Sequence, residues 1–184
     1  LTTPVPAQQA PRLIGTYVSV TGDDAVLEAE GGGRLNIRLS PATAFARLDR
    51  AGVADLKPGL FVGVGARPQP DGSQKAVQIV IFPESMRGTG EGHRAWGVMP
   101  EATMTNGAIA ETVQSVEGGG FTLSYKGGAQ KVTTPSDASI LMLSLTDRSA
   151  LKPGARGQVV GTKGEDGAVA ATRITLWGEG VSPY

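Results

Sequence analysis

The sequence contains no cysteine, which excludes disulfides, thiol nucleophiles, zinc–thiolate centres and c-type haem attachment. Histidine is nearly as scarce. His93 is the only one among 184 residues, so most imidazole-based catalysis is removed as well. Aromatic residues make up 5%, and 17 basic residues balance 17 acidic ones, so no global field exists to hold nucleic acid or an anionic membrane. The longest apolar runs, at 60–66 and 79–82, are strand-sized and far short of the ~20 residues of a membrane-spanning helix. No Gly-x-Ser-x-Gly elbow is present. Carboxylate pairs such as Asp23-Asp24 and Glu165-Asp166 fall in predicted turns, where such residues are ordinary.

Glycine and proline are plentiful, at 27 and 12 residues, and favour many turns between short strands. The chain also repeats itself. Leu56-Lys57-Pro58-Gly59 returns as Leu151-Lys152-Pro153-Gly154, 95 residues on. At that offset Ile14 aligns with Ile109, Val18 with Val113, Gly32-Gly33 with Gly127-Gly128, Val64 with Val159, Asp71-Gly72 with Asp166-Gly167 and Ile79 with Ile174. In-register markers of this kind signal duplication. In the first copy, apolar alternation and turn signals predict extended segments at 13–20, 25–29, 34–39, 43–48, 61–66 and 75–82. In the second copy they predict 109–116, 121–125, 130–134, 139–144, 157–161 and 170–177. Short helical turns are expected at 51–56 and before Leu151, the second capped by Thr146 or Asp147. Lys57-Pro58-Gly59 predicts a type II turn. Val113 and Val116 are spaced one residue wider than Val18 and Val20, which predicts a bulge in the first strand.

Three strands, a brief helical turn and two strands is the order of an OB-type barrel, whose closure removes exposed edges. The expected fold class is therefore all-β: two tandem small OB-like β-barrels related by the repeat, each with one short helical turn. A β-sandwich is the alternative, with 43–48 counted as a sixth strand. The expected boundaries are an extended N-terminal arm at 1–11, barrels at 12–82 and 108–178, an ordered connecting segment at 83–107, and a C-terminal tail at 179–184.

The connecting segment holds His93, one of two tryptophans (Trp96) and three of four methionines (Met86, Met99 and Met104), a composition unlike a solvated linker. Imidazole and thioether suit Cu(I), and a His/Met pair can ligate haem axially. His93, Met86, Met99 and Met104 are thus candidate metal or haem ligands. Against this, no spacing matches a metal motif. The favoured reading has Met and Trp filling the junction between two barrels, with His93 donating to a backbone carbonyl. Arg87 and Arg94 flank Gly88-Thr89-Gly90-Glu91-Gly92, a stretch that could form an anion nest or, with Trp96, an interface. The competing reading pairs these arginines with Glu84, Glu91 or Glu101. OB-type barrels often bind single strands, but low aromatic content and zero net charge argue against nucleic acid here.

Three stretches carry a resemblance: Leu56-Lys57-Pro58-Gly59-Leu60-Phe61-Val62-Gly63-Val64, Ile81-Phe82-Pro83-Glu84-Ser85-Met86-Arg87-Gly88-Thr89-Gly90-Glu91-Gly92-His93-Arg94, and Thr103-Met104-Thr105-Asn106. On them the chain resembles a family of uncharacterised, exported bacterial proteins with a small β-barrel domain of unknown function, here in tandem. The resemblance runs from about Arg12 to Trp177 and implies no established activity, catalytic residue or cofactor.

The expectation is a non-enzymatic structural or interaction protein that associates with itself or with cell-envelope proteins, without nucleic acid or a membrane span. Residues 1–11 are Pro- and Gln-rich, like the stretch after a cleaved leader, so a periplasmic or extracellular location is expected. The alternatives are a periplasmic copper- or haem-binding protein using His93 and the methionines, and an enzyme on an envelope polymer.

Overall fold

A computed structural model of the protein describes residues 12–113 and 119–183. The arm at 1–11 and the expected strand end at 114–116 lie outside the described residues. The strands are β1 (Arg12–Thr21), β2 (Asp24–Ala29), β3 (Arg34–Arg38), β4 (Ala44–Arg50), β5 (Phe61–Pro68), β6 (Gln74–Ile81), β7 (Gly92–Ala95), β8 (Thr103–Val113), β9 (Gly120–Tyr125), β10 (Gly128–Thr133), β11 (Ser139–Thr146), β12 (Arg156–Lys163) and β13 (Val169–Trp177). Helical structure among the described residues is confined to 3-10 turns at Val53–Asp55, Glu84–Met86 and Arg148–Ala150.

The duplication is visible in the element order: β1 to β6 recur as β8 to β13, with a 3-10 turn after β4 and after β11. Both copies of Lys-Pro-Gly turn as expected. Gly59 and Gly154 take φ +88° and +91°, which a side chain would resist. Leu60 N–H donates to Lys57 O at 3.2 Å and Ala155 N–H to Lys152 O at 3.0 Å. Asp147 caps the third 3-10 turn by accepting from Ser149 N–H at 2.8 Å.

The compact units differ from the consecutive bodies expected at 12–82 and 108–178. One unit combines Leu1–Arg47 with Leu145–Gly178, and the other combines Leu48–Ser144 with Glu179–Tyr184. In the first, β1 pairs with β2, β2 with β3, β3 with β13 in parallel, β13 with β12, and β12 with β1, closing a five-stranded ring. In the second, β8, β9, β10, β6 and β5 close a ring by the equivalent pairings, β10–β6 being the parallel one. Each ring takes a three-strand meander from one copy and a two-strand hairpin from the other.

The physical reason lies in β4 and β11. Neither Ala44–Arg50 nor Ser139–Thr146 contains a glycine or proline, so the chain cannot reverse there. The hairpin that follows closes on the other meander. The cores are composite for the same reason. Tyr17, Leu27 and Ile37 pack with Val159, Ile174 and Leu176 in the first unit. Val62, Val64 and Ile79 pack with Ile109, Phe121 and Leu123 in the second.

The offset of 95 holds from β3 onward but not in the first strand. Gly15 lies opposite Gly157 and Ala29, Gly107 lies opposite Val62, and both chains bulge two residues later, between Tyr17/Ser19 and Ile109/Glu111. Gly107 is thus the counterpart of Gly15, and Ile109 of Tyr17 rather than Ile14. The longer connection after β8 absorbs the difference. These bulges lie ahead of the Val113–Val116 interval where one was expected, and that interval runs into residues outside those described.

Tyr17 puts a phenol where the second unit has an isoleucine. The residue is fully buried, and its hydroxyl has no hydrogen-bond partner among the described residues. Burial raises its pKa far above the ordinary value of a tyrosine. Because the folded-state value lies above the unfolded one, this contribution to stability is intact below about pH 10 and is lost as pH rises beyond it. Tyr17→Phe is expected to stabilise the protein by about 1–2 kcal/mol at neutral pH, by removing an unsatisfied buried polar group. Urea denaturation of both proteins at pH 7 and pH 10.5 checks this, and the gap should widen at the higher pH.

Candidate functional site

The run Phe61-Val62-Gly63-Val64-Gly65 alternates large and absent side chains. On β5 this sends Val62 and Val64 into the core of the second unit and leaves the opposite face bare at Gly63 and Gly65. The connecting segment lies on that bare face. A Cβ on Gly65 would come within 2.5 Å of Trp96 Cζ3, and one on Gly63 within 2.9 Å of Asn106 Oδ1 and 3.1 Å of Phe82 Cε2. Trp96 is 8% exposed and Asn106 5%. Asn106 donates from Nδ2 to Thr89 O at 2.9 Å, which ties the glycine-rich loop to β8. Its Oδ1 is buried without a partner among the described residues.

From this loop the chain enters β7, which pairs antiparallel with the start of β8: His93 opposite Thr105, and Arg94 opposite Met104. His93 is exposed at the ring but shares a 2.7 Å hydrogen bond between Nδ1 and Thr105 Oγ1. Its imidazole stacks against Tyr125, with centroids 6.2 Å apart and planes 20° from parallel. Next to it, Glu91 Oε1 accepts from Lys126 N–H at 2.9 Å and fastens β7 to the β9–β10 turn.

His93 and Met104 do not share a face. Strand alternation puts His93 and Thr105 on one face of the β7–β8 ribbon, and Arg94 and Met104 on the other. Met104 is the cross-strand partner of Gly65, on the face that Trp96 covers. Met86 ends a 3-10 turn and Met99 sits in the turn between β7 and β8, both half-buried. No group of three or more His, Cys, Asp or Glu placed to hold a metal occurs among the described residues. His93 bonds to the Thr105 side chain, where a backbone carbonyl was expected.

The two arginines that flank the glycine-rich stretch are engaged by the protein's own groups. Arg87 donates from Nε to Glu84 Oε1 at 2.5 Å and from Nη2 to Gly59 O at 2.7 Å. This ion pair holds the Glu84 carboxyl below its ordinary pKa and raises that of Arg87. Arg94 Nη1 donates to Gly90 O at 2.8 Å. The amides of Thr89 and Glu91 donate to Met86 O and Gly88 O. Of Glu84, Glu91 and Glu101, the partners expected for the two arginines, Glu84 pairs with Arg87, whereas Glu91 accepts from Lys126 N–H.

Sequence reasoning passed over Gly63, Gly65, Thr105 and Tyr125. The glycine pair did carry a signal, because an alternating Val/Gly strand leaves a flat face that something large must cover. The counterparts of Gly63 and Gly65 in β12 are Gln158 and Val160, so the first unit offers no such face.

Removing the His93 ring should leave the Thr105 hydroxyl, 2% exposed, without this partner. His93→Ala is expected to cost about 1–2 kcal/mol in urea denaturation. His93→Gln, whose amide can reach the same hydroxyl, should recover about half.

Among known families, a model described as "Domain of unknown function (DUF5666)" matches residues 112–175. The matched stretch runs from the end of β8 through β13, and so follows the repeat rather than either compact unit. No curated protein and no solved structure matches the chain. No helix among the described residues is long and apolar enough to cross a membrane.

Proposed function

We propose that this is a non-enzymatic structural or interaction protein made of two OB-like barrels, exported to the periplasm or cell exterior. It acts through contacts with further copies of itself or with cell-envelope proteins. The observation that carries the reading is how the connecting segment uses its unusual side chains. Trp96 covers Gly65, Arg87 serves Glu84 and Gly59, and His93 serves Thr105 and Tyr125. These groups fasten the segment to its own barrel. The strand order of each ring, meander then hairpin with one parallel closure, supports the OB-like assignment.

Two measurements test the reading. Light scattering on size-exclusion fractions from micromolar to millimolar protein should show association that grows with concentration. Cu(I) and haem titrations should give no saturable site in wild type. A stoichiometric site that disappears in His93→Ala would overturn the proposal in favour of the copper- or haem-binding alternative.

A further inference from the structure

The first unit has no continuous chain of its own. Its meander, β1 to β3, and its hairpin, β12 and β13, lie far apart in the sequence, with every ring strand of the second unit between them. Each piece is local in sequence. β1–β2 and β2–β3 pair across short turns, and β12–β13 pair from Gly157↔Leu176 to Lys163↔Val169. The two pieces meet through contacts of large sequence separation: the β1–β12 seam, over Arg12↔Val160 to Thr16↔Arg156, the β3–β13 seam, at Val169↔Ile37 and Ala170↔Arg38, and a shared core. Ion pairs Arg38–Asp166 and Arg156–Glu30 cross from one piece to the other. Nothing in these contacts requires that both pieces belong to the same molecule.

We infer that a second copy of this chain can complete the first unit, the β12–β13 hairpin of one molecule closing on the β1–β3 meander of another. The inference rests on the self-association reading above and supplies its geometry. The duplication is consistent with it, since within one chain each meander already accepts the hairpin of the other copy. Seams of such large sequence separation close late in folding, when both pieces expose unpaired edges. Closure within the molecule then competes with closure between molecules at an effective concentration on the order of 1 mM. Refolding at about 0.1 mM should therefore give roughly a tenth of the chains as exchanged dimers.

The absence of cysteine makes the test clean. Ile14 and Gln158 are partners on the outer face of the β1–β12 seam, at a spacing that a disulfide can bridge. Ile14→Cys and Gln158→Cys chains are unfolded, mixed, refolded together and oxidised. A covalent heterodimer joined through the two introduced thiols is expected, rising about tenfold with each tenfold increase in protein while its yield is low, and forming more slowly when the two chains are mixed already folded. The double variant at low concentration serves as the control and should close a disulfide within one chain. Arg12→Cys with Val160→Cys, the next outward pair, guards against a local folding defect.

If the double variant closes but neither pair ever cross-links in trans, the exchange is overturned. Should light scattering still show dimers in that case, self-association stands and uses another surface. If every sample is monomeric, both inferences fall.

Discussion

Trp96→Ala should destabilise the second unit by about 3–5 kcal/mol, the usual cost of deleting a large buried aromatic ring. The ring is 8% exposed, and its Cζ3, Cη2 and Cε3 atoms lie 2.5–2.9 Å from where a Gly65 Cβ would stand. The indole therefore fills the place of the side chain that β5 lacks. Gly65→Val attacks the same contact from the strand side. The new methyls overlap the ring, which must leave, exposing Trp96 and shifting its fluorescence to the red. Trp177 lies in the first unit, so Trp177→Phe isolates the Trp96 signal and Trp96→Ala isolates that of Trp177. Combining Gly65→Val with Trp96→Ala should cost less than the sum of the two by about 1–2 kcal/mol, because valine then occupies vacated space. An unchanged emission maximum and midpoint in Gly65→Val would show that the ring does not depend on that bare face.

How far such contacts were legible differs from residue to residue. Local features were read well. Pro58-Gly59 and Pro153-Gly154 place their turns, Asp147 caps its 3-10 turn, and alternation marks the strands, because each depends on chemistry within a few residues. Pairing was not legible. Whether β6 closes on β3 or on β10 depends on where the chain meets a partner once it has run straight along β4, and nothing local to β4 names that partner. The repeat itself encouraged the wrong partition, since two similar copies suggest two self-contained bodies.

The connecting segment was only half legible. Its composition announced an ordered role, and Trp96 did prove buried. The grouping of His93 with Met104 failed because the pair straddles a strand pairing, and period-two alternation sends the two side chains to opposite faces. β7 could not be foreseen from Gly-His-Arg-Ala, which has no apolar alternation and owes its extended form to the edge of β8. A strand that forms on a template leaves little mark on its own sequence.

Gly15→Ala separates the composite architecture from consecutive barrels more sharply than any other single change. A Cβ at Gly15 would meet Glu28 O at 2.1 Å, and one at Gly107 would meet Ser124 O at 2.4 Å, so the two structurally equivalent glycines are pressed against neighbouring backbone. Backbone cannot step aside as a side-chain tip can, and each substitution is expected to cost about 3 kcal/mol. The expected consequence is regional. In Gly15→Ala, hydrogen exchange read by mass spectrometry should show residues 12–47 and 145–178 losing protection together, while 48–144 keeps it. A barrel made of the first copy alone would lose 12–82 instead and leave 145–178 untouched. Gly107→Ala should reverse the pattern, exposing β5 and β6 along with β8 to β10. Protection lost at 145–178 through a change 130 residues earlier in the sequence requires that β12 and β13 close on the amino-terminal meander.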